Sequence, residues 1–279
     1  MTTLTPAATG LTALLEQRQR PALGAFLPAG FPNWTAGVET LRAFIRHGAD
    51  FLEVGVPHRA PSLDGPDIRA AHAKALSQGA RMAHVFSTIR LAASSTGVPV
   101  VAMSYWSSVL NFDGPVRFAQ DLAQAGAAGA MIPDLPVSAA GEWIDAARAA
   151  GIHTPQFAPR DAGDEQLAAI AEIASGWIYA PAVSAPTGYQ GDLDLPALRD
   201  FTARLRAHSP LPVVGGIGIS TPQLAEQVAP FVDGAVIGSP LIRPLLRCPA
   251  PAGLDSAVEQ VRAFAHALHT PASSCPLPA

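Results

Sequence analysis

Two carboxylates in the first quarter of the chain stand where acid–base chemistry could occur. Glu53 lies inside the apolar run FLEVGVP, and burial of a carboxyl group is expected to raise its pKa. A carboxyl group in such surroundings can both give and take a proton near neutrality. Asp64 follows in the loop SLDGP. Taken alone, an Asp-Gly pair indicates a turn, but next to Glu53 the aspartate is predicted to act as a fixed hydrogen-bond acceptor. The sequence therefore predicts Glu53 and Asp64 as catalytic residues.

Glycine turns late in the chain indicate a phosphate site. Three apolar runs end in PTGYQG, GGIGIS and IGSPLI, and the last of these precedes a predicted helix. Backbone N–H groups at such turns, together with a helix N-terminus, are able to bind phosphate. The residues predicted to bind phosphate are Gly188, Gly218, Gly238 and Ser239. Tight turns without a ligand are the alternative for each glycine taken alone.

Eight short apolar runs, each followed by a helical pattern, would position these residues. The runs are 24–29, 50–56, 99–105, 127–132, 152–157, 176–181, 210–216 and 233–239. They are apolar throughout, which is typical of parallel strands covered on both faces. The predicted fold class is α/β, a single (β/α)₈ TIM barrel with an extra N-terminal helix before Arg20. The barrel is predicted over 1–268 and a disordered tail over 269–279, a segment rich in Pro and Ser.

Composition excludes several classes of function. Apolar residues make up 49% of the chain and charged residues 14%, so the chain is expected to fold. The net charge is −4 without a Lys/Arg cluster, and no apolar run is long enough for a bilayer, so neither nucleic acid nor membrane is an expected partner. The N-terminus lacks the pattern of a signal peptide, and both cysteines are expected to be free thiols. These features predict a cytoplasmic protein.

Cofactor chemistry finds no support in the sequence. Lys74 is the only lysine and lies in a predicted helix, whereas a Schiff-base lyase needs a lysine at a strand end. No spacing typical of metal ligands is present, so we expect neither a metal nor another cofactor. Asp134, in the motif PDLP, is expected to brace a loop, and His58 is expected to be a surface residue.

The motifs taken together resemble those of the tryptophan synthase α subunit family, from about Gly24 to about Leu268. The similarity rests on EVGVP at 53–57, DGP at 64–66, MSYWSSVLNF at 103–112, PDLP at 133–136, TG at 187–188, GIGIS at 216–220 and GS at 238–239. The combination of the acidic pair, PDLP and three glycine loops is a specific signature. The resemblance covers nearly the whole predicted barrel.

Members of that family cleave indole-3-glycerol phosphate to indole and glyceraldehyde 3-phosphate without a cofactor. The resemblance implies that Glu53 protonates indole C3 and helps to remove the hydroxyl proton. It implies that Asp64 accepts a hydrogen bond from the indole N–H, and that Thr187 lies in a lid loop that closes over the site. The residues that it assigns to the pocket for the indole ring are Phe26, Tyr105, Met131, Tyr179 and Val236.

The departures from the family pattern are concentrated in loops that face the partner β subunit in the family or transmit its state. The family's S-D-P is Arg59-Ala60-Pro61 here, its Y-x-N-P is Tyr105-Trp106-Ser107-Ser108, its G-V-T-G is Ala185-Pro186-Thr187-Gly188, and Phe31 replaces an acidic residue. The comparison predicts a weakened β-subunit interface and a stand-alone role in specialised metabolism, supplying free indole. Two alternatives stay open: a lyase or isomerase acting on another phosphorylated substrate, and a non-catalytic homologue.

Overall fold

Eight parallel strands form the centre of the molecule. The computed structural model describes residues 3–17 and 20–269. The strands are β1 (Ala22–Pro28), β2 (Phe51–Gly55), β3 (Val100–Met103), β4 (Gly129–Met131), β5 (Gln156–Phe157), β6 (Ile178–Pro181), β7 (Val213–Gly216) and β8 (Gly234–Ile237). Each lies within or next to a run predicted from the sequence. Nearly every strand residue is buried, because helices cover the outer face of the sheet.

Helices follow every strand, as the sequence pattern predicted. They are α1 (Pro6–Glu16), α2 (Trp34–Arg46), α3 (Pro66–Ser77), α4 (Met82–Thr96), α5 (Trp106–Leu110), α6 (Gly114–Ala125), α7 (Gly141–Ala150), α8 (Asp164–Ile173), α9 (Leu195–His208), α10 (Pro222–Val228), α11 (Ser239–Arg247) and α12 (Ala252–His269). Short 3₁₀ turns occupy Val137–Ala139 and Ala229–Phe231. Among the helices within 3–17 and 20–269, none combines the length and apolar character needed to cross a membrane.

The sheet closes on itself between β4 and β5. The hydrogen-bonded order is β4-β3-β2-β1-β8-β7-β6-β5, and a parallel bridge between Gly129 and His153 joins the two ends. His153 accepts a bond from Ala130 N–H at 3.0 Å and donates its own N–H to Ala128 O at 2.9 Å. A Cβ atom on Gly129 would lie 2.6 Å from His153 O, so this closure requires glycine. The predicted single (β/α)₈ barrel is confirmed.

The extra N-terminal helix is also present, and it covers the bottom of the barrel. Thr5 caps α1 by accepting a bond from Ala8 N–H, and Leu11 and Leu15 are buried beneath it. Leu15 approaches Gly234, the first residue of β8, which places α1 at the N-terminal ends of the strands. At the other end of the chain, α12 continues to His269. The rest of the predicted disordered tail lies outside the described residues.

Strand register brings Glu53 into the barrel. Glu53 pairs with Phe26 on β1 and with Val101 on β3. Side chains of paired residues in neighbouring parallel strands point to the same face of a sheet. Glu53 and Phe26 both line the interior cavity described below, so this register fixes the carboxyl group beside an aromatic ring.

Candidate active site

A cavity opens at the C-terminal end of the barrel. It holds about 750 Å³ of open space, including solvent at its mouth. Its walls come from the strand ends and from the loops after β2, β6, β7 and β8. All of the predicted site residues line it except Tyr105: they are Phe26, Glu53, Asp64, Met131, Tyr179, Thr187, Gly188, Gly218, Val236, Gly238 and Ser239. This is the end of the barrel at which such folds carry their active sites.

Glu53 is a buried carboxyl group without a fixed partner. Only 4% of the Glu53 surface is exposed, and its Oε1 atom has no hydrogen-bond partner among the residues described. Burial, followed by the nearby negative charge of Asp64, raises the pKa of Glu53 to about 8. Glu53 is therefore mostly protonated at neutral pH, and it can exchange a proton with a ligand in the cavity.

Asp64 is equally buried, but both of its oxygens are held. Tyr105 donates its hydroxyl to Oδ2 at 2.9 Å, and Thr187 donates its hydroxyl to Oδ1 at 3.3 Å. The fully buried His72 places Nε2 3.5 Å from Oδ2. The two carboxyl groups thus have different environments: Glu53 is free to transfer a proton, and Asp64 is oriented as an acceptor.

Tyr105 lies one layer outside the cavity, which corrects its assignment to the ring pocket. Its hydroxyl donates to Asp64 and accepts from Leu63 N–H at 3.2 Å, while its ring packs against His58 at 4.8 Å between centroids. Burial and the charge of Asp64 raise the pKa of Tyr105, so the phenol stays a donor. A buried hydroxyl needs a hydrogen-bond partner, and Asp64 supplies it here. Tyr105 therefore orients Asp64 instead of lining the pocket.

The predicted lid loop between β6 and α9 is docked on the loop after β2. Thr187 Oγ1 accepts a bond from Gly65 N–H at 2.9 Å, and Thr187 N–H donates to Leu63 O at 3.1 Å. A Cβ atom on Gly65 would lie 1.9 Å from Thr187 O, so only glycine permits this approach. Together with the bond to Asp64, these contacts join the two loops at the wall of the cavity.

The four residues predicted to bind phosphate, Gly188, Gly218, Gly238 and Ser239, all line this cavity. Ser239 begins α11, is 4% exposed, and has a hydroxyl without a partner among the residues described. Gly188 packs against it, since a Cβ there would lie 3.2 Å from Ser239 Oγ. Gly188 and Gly218 have φ angles of +85° and +102°, which favour glycine. Close backbone approach and a helix N-terminus suit an anion.

The rest of the cavity wall is apolar and aromatic. Phe26, Met131 and Val236 are buried at the ends of their strands, and Tyr179 stacks on Phe157 at 5.8 Å between centroids. A Cβ atom on Gly216 would lie 1.7 Å from the Tyr179 hydroxyl, so glycine there admits the phenol. Burial and the nearby Glu53 raise the pKa of Tyr179 well above its ordinary value. This wall suits a flat aromatic ring.

Among the residues at the site that were not predicted from the sequence are His72, Arg243 and Asp67. His72 on α3 approaches Asp64, and Arg243 lines the cavity from α11, where it pairs with Asp67 of α3. His72 lies four residues after the buried Ile68, and Arg243 lies four residues after Ser239. Residues at this spacing share one face of a helix, so helical periodicity was the available signal.

Other polar residues lie where the sequence suggested. Asp134 accepts a bond from Trp106 N–H at 2.8 Å, so it braces the start of α5. Lys74 is exposed on α3, with Nζ 5.7 Å from the centroid of the Phe31 ring, and it does not line the cavity. Within residues 3–17 and 20–269, no group of His, Cys, Asp or Glu side chains is arranged to hold a metal ion.

Comparison with known proteins identifies the family. The sequence model of the tryptophan synthase alpha chain matches residues 12–272. This chain belongs to the tryptophan synthase alpha chain family. The alpha chain of Streptomyces coelicolor is 39% identical over 253 residues, covering 91% of this chain and 92% of that relative. The alpha chain of Streptomyces avermitilis is likewise 39% identical, covering 91% of this chain and 90% of the relative. The resemblance inferred from the motifs is confirmed.

Solved structures of alpha chain relatives share the barrel. Tryptophan synthase from Mycobacterium tuberculosis superposes with a TM-score of 0.84 at 31% identity, covering 97% of this chain and all of the matched chain (100%). Tryptophan synthase subunit alpha from Legionella pneumophila superposes with a TM-score of 0.85 at 27% identity, covering 96% of this alpha chain and 98% of that one. The likeness extends over nearly the whole length of both chains.

Proposed function

We propose that this alpha chain cleaves indole-3-glycerol phosphate to indole and glyceraldehyde 3-phosphate, without a cofactor. The observation that carries the proposal is the unpartnered buried carboxyl group of Glu53, which faces a cavity that Ser239 and glycine turns also line. The aromatic wall between them accommodates the indole ring. The phosphate then lies at the start of α11, and the bond to be broken lies near Glu53.

Glu53 acts as both acid and base in this reaction. Protonated at neutral pH, it delivers its proton to indole C3, which leaves a positive charge on the ring nitrogen. The bond between C3 and the glycerol carbon then breaks, and its electron pair restores the aromatic indole. The hydroxyl on that carbon loses its proton to the ionised Glu53 as the aldehyde forms. One proton enters and one leaves, so Glu53 returns to its starting state.

Asp64 stabilises the charge that develops on the ring. Its oxygens accept hydrogen bonds from Tyr105 and Thr187, so the carboxylate does not need to reorient when the indole N–H becomes cationic. Acceptors that are oriented before the reaction stabilise a transition state more than mobile ones do. Thr187 brings the lid loop to the same carboxylate, which links closure of the cavity to the catalytic end.

We further propose that the chain functions without a β subunit in the cytoplasm, releasing free indole for specialised metabolism. The contacts of Thr187 with Gly65 and Leu63 form within one chain, so docking of the lid does not need a partner. Phe31, which replaces an acidic residue of the partner-facing loops, is fully buried and cannot reach a partner's surface. Members of the family pair with a β subunit; here the interface is weakened.

An assay for indole release tests both parts of the proposal. Purified chain is supplied with indole-3-glycerol phosphate, with and without a tryptophan synthase β subunit. We expect comparable rates in the two conditions. A large gain in activity on addition of the β subunit would contradict the stand-alone part, and absence of indole under both conditions would contradict the lyase part.

The two alternatives find little support at the cavity. His58 and Arg59, which could reshape the mouth for another phosphorylated substrate, do not line the cavity. A non-catalytic homologue would gain nothing from keeping Glu53 buried without a partner, since such a group costs stability. A panel of phosphorylated substrates distinguishes these alternatives from the indole reaction.

A further inference from the structure

Arg243 is the single cation among the described residues that line the cavity. It lies on α11 four residues after Ser239, and its side chain is 23% exposed. Residues four apart share one face of a helix, and helical side chains lean toward the N-terminus. The guanidinium therefore extends toward the helix start at which the phosphate is expected to bind.

Asp67 holds one edge of this guanidinium. Both Nε and Nη2 of Arg243 lie 2.9 Å from Asp67 Oδ2, and Asp67 belongs to the first turn of α3. No hydrogen bond of Arg243 Nη1 is found within the described part of the chain, and this atom is not sealed from solvent. The guanidinium edge formed by Nε and Nη2 is thus fixed by a carboxylate, and the edge that carries Nη1 can bind an anion.

The start of α11 offers few backbone donors. Pro240 is the second residue of the helix and carries no N–H group. The N–H groups of Leu241 and Ile242 both bond to Gly238 O, at 2.9 and 3.1 Å. The hydroxyl of Ser239 is buried and has no partner in the described structure, so a donor and acceptor group is available to a ligand there. These donors are uncharged, so a charged donor beside them would strengthen the binding of a phosphate.

The charges of the residues that line the cavity also favour a cation beside the phosphate. Besides Arg243, the lining contains the carboxyl groups of Glu53 and Asp64. A phosphate monoester brings up to two negative charges into this space, in addition to the negative charge of Asp64. A cation beside the phosphate offsets their repulsion, and a guanidinium suits a phosphate because its N–H groups match the spacing of the oxygens.

We propose that Arg243 binds the phosphate of the substrate and that Asp67 positions Arg243 for this contact. The inference rests on the proposed function, since it takes the ligand to be a phosphorylated compound. Arg243 supplies the donor that Pro240 cannot, and it makes the cavity selective for phosphorylated over unphosphorylated indole glycerol. Asp67 is a positioning residue that acts through Arg243.

Binding of glycerol 3-phosphate and of inorganic phosphate by the full chain tests the proposal. Calorimetry gives the Kd for Arg243→Gln, Arg243→Lys and Asp67→Asn, and thermal unfolding gives the Tm of each. Arg247→Gln is the matched control: it removes the same charge from the same helix, at an exposed position outside the cavity lining. KM and kcat for indole-3-glycerol phosphate are measured for every variant.

We expect Arg243→Gln to weaken phosphate binding by about tenfold or more, which is typical of a lost bond to a charged group. We expect Arg243→Lys to bind phosphate more tightly than Arg243→Gln but less tightly than the unmodified chain, because lysine keeps the charge but lacks the planar guanidinium. Asp67→Asn weakens binding less than Arg243→Gln and raises KM more than it lowers kcat. Arg247→Gln leaves the Kd unchanged.

Several results would overturn the inference. One is a lower Tm for Arg243→Gln with an unchanged Kd, which makes the ion pair purely structural. Another is equal weakening by Arg247→Gln, which makes the effect one of general charge. If Arg243→Gln does not fold, a folded Arg243→Lys with the affinity of the unmodified chain also overturns it. If phosphate binding depends on Arg243 but no indole is released, the proposed function is wrong and this inference stands. If indole is released at a rate that Arg243→Gln does not change, this inference is wrong and the proposed function stands.

Discussion

At the residue scale, the site depends on two carboxyl groups whose oxygens are satisfied differently. Glu53 has an oxygen without a partner, whereas Asp64 accepts bonds from Tyr105 and Thr187. Burial raises the pKa of Glu53 and leaves it able to exchange a proton, whereas the hydrogen bonds to Asp64 fix the orientation of its oxygens. This difference leads to three predictions.

The first prediction concerns the pH dependence of activity. The pKa of Glu53 is raised to about 8, so the proton required at indole C3 is present below that pH and is lost above it. We expect kcat/KM to fall as pH rises through about 8, since kcat/KM reports the free enzyme. Steady-state rates between pH 6 and roughly 10 measure this limb. A flat profile across that range would show that Glu53 is not the proton donor.

The second prediction concerns stability. Between its ordinary pKa of 4.5 and the raised pKa of about 8, Glu53 keeps its proton in the folded chain and loses it in the unfolded chain. The free energy of unfolding therefore decreases as pH rises through this window, by an amount on the order of 5 kcal/mol. Glu53→Gln does not titrate, so it should be more stable than the unmodified chain near pH 8 and similar below about pH 4.5. Urea unfolding at several pH values measures the difference, and a constant difference would contradict it.

The third prediction concerns Tyr105. Tyr105→Phe keeps the buried ring but removes the hydroxyl that donates to Asp64. We expect kcat to fall roughly tenfold with a smaller change in KM, together with a loss of about 1 kcal/mol in stability. Kinetics and thermal unfolding of this variant separate the two effects. A loss of stability with unchanged kcat would assign Tyr105 to packing only.

At the element scale, two loops from distant parts of the chain meet over the cavity. Thr187 after β6 contacts Leu63, Asp64 and Gly65 after β2, and the backbone approach leaves no room for a side chain on Gly65. Both loops contact the same carboxylate, so we expect docking of the loop after β6 and orientation of Asp64 to be coupled. Disturbing the contact between loops should therefore affect catalysis and not only access.

Gly65→Ala tests this coupling. Gly65 has a φ of −85°, which alanine adopts without strain, so the main effect of the added methyl group is its overlap with Thr187 O. We expect kcat/KM to fall by roughly tenfold or more because the docked loop becomes a minor state. Gly141→Ala is the control, since a Cβ atom there meets open space. Equal kinetics for the two variants would show that docking does not matter.

Sequence patterns located the strands well because buried parallel strands are apolar along their whole length. They placed Glu53 and the glycine turns for the same reason, since a polar residue or a glycine interrupts an apolar run visibly. They overestimated β5: only Gln156 and Phe157 pair with β6, while His153 bridges to β4. A run of apolar letters does not show which residues pair with which neighbour.

Side-chain partners from distant elements were beyond the reach of the sequence patterns. The bond between Arg243 and Asp67 joins residues 176 positions apart. Tyr105 ends an apolar run, and nothing in that run shows whether its ring enters the cavity or turns toward Asp64. The contact between Gly65 and Thr187 also depends on the three-dimensional path of two loops. These features require the fold, because each one is set by packing between elements.

At the scale of the whole molecule, one end of the barrel contributes to stability and the other end carries the candidate site. α1 and the bridge between β4 and β5 stabilise the bottom and the wall, where His153 Nε2 lies 3.1 Å from Ala8 O. The loops at the opposite end carry every predicted site residue except those on the strands themselves. The contacts between these loops form within one chain, and the proposal of activity without a partner rests on them.

The most direct test of the central claim is indole release from indole-3-glycerol phosphate by the purified chain alone, beside Glu53→Gln. Our account predicts release without a β subunit, and a rate for Glu53→Gln that is lower by about 10²- to 10⁴-fold, as for loss of a general acid–base group. The two proteins should show the same circular dichroism spectrum. Failure of the unmodified chain to release indole, or a near-normal rate for Glu53→Gln, would contradict the account.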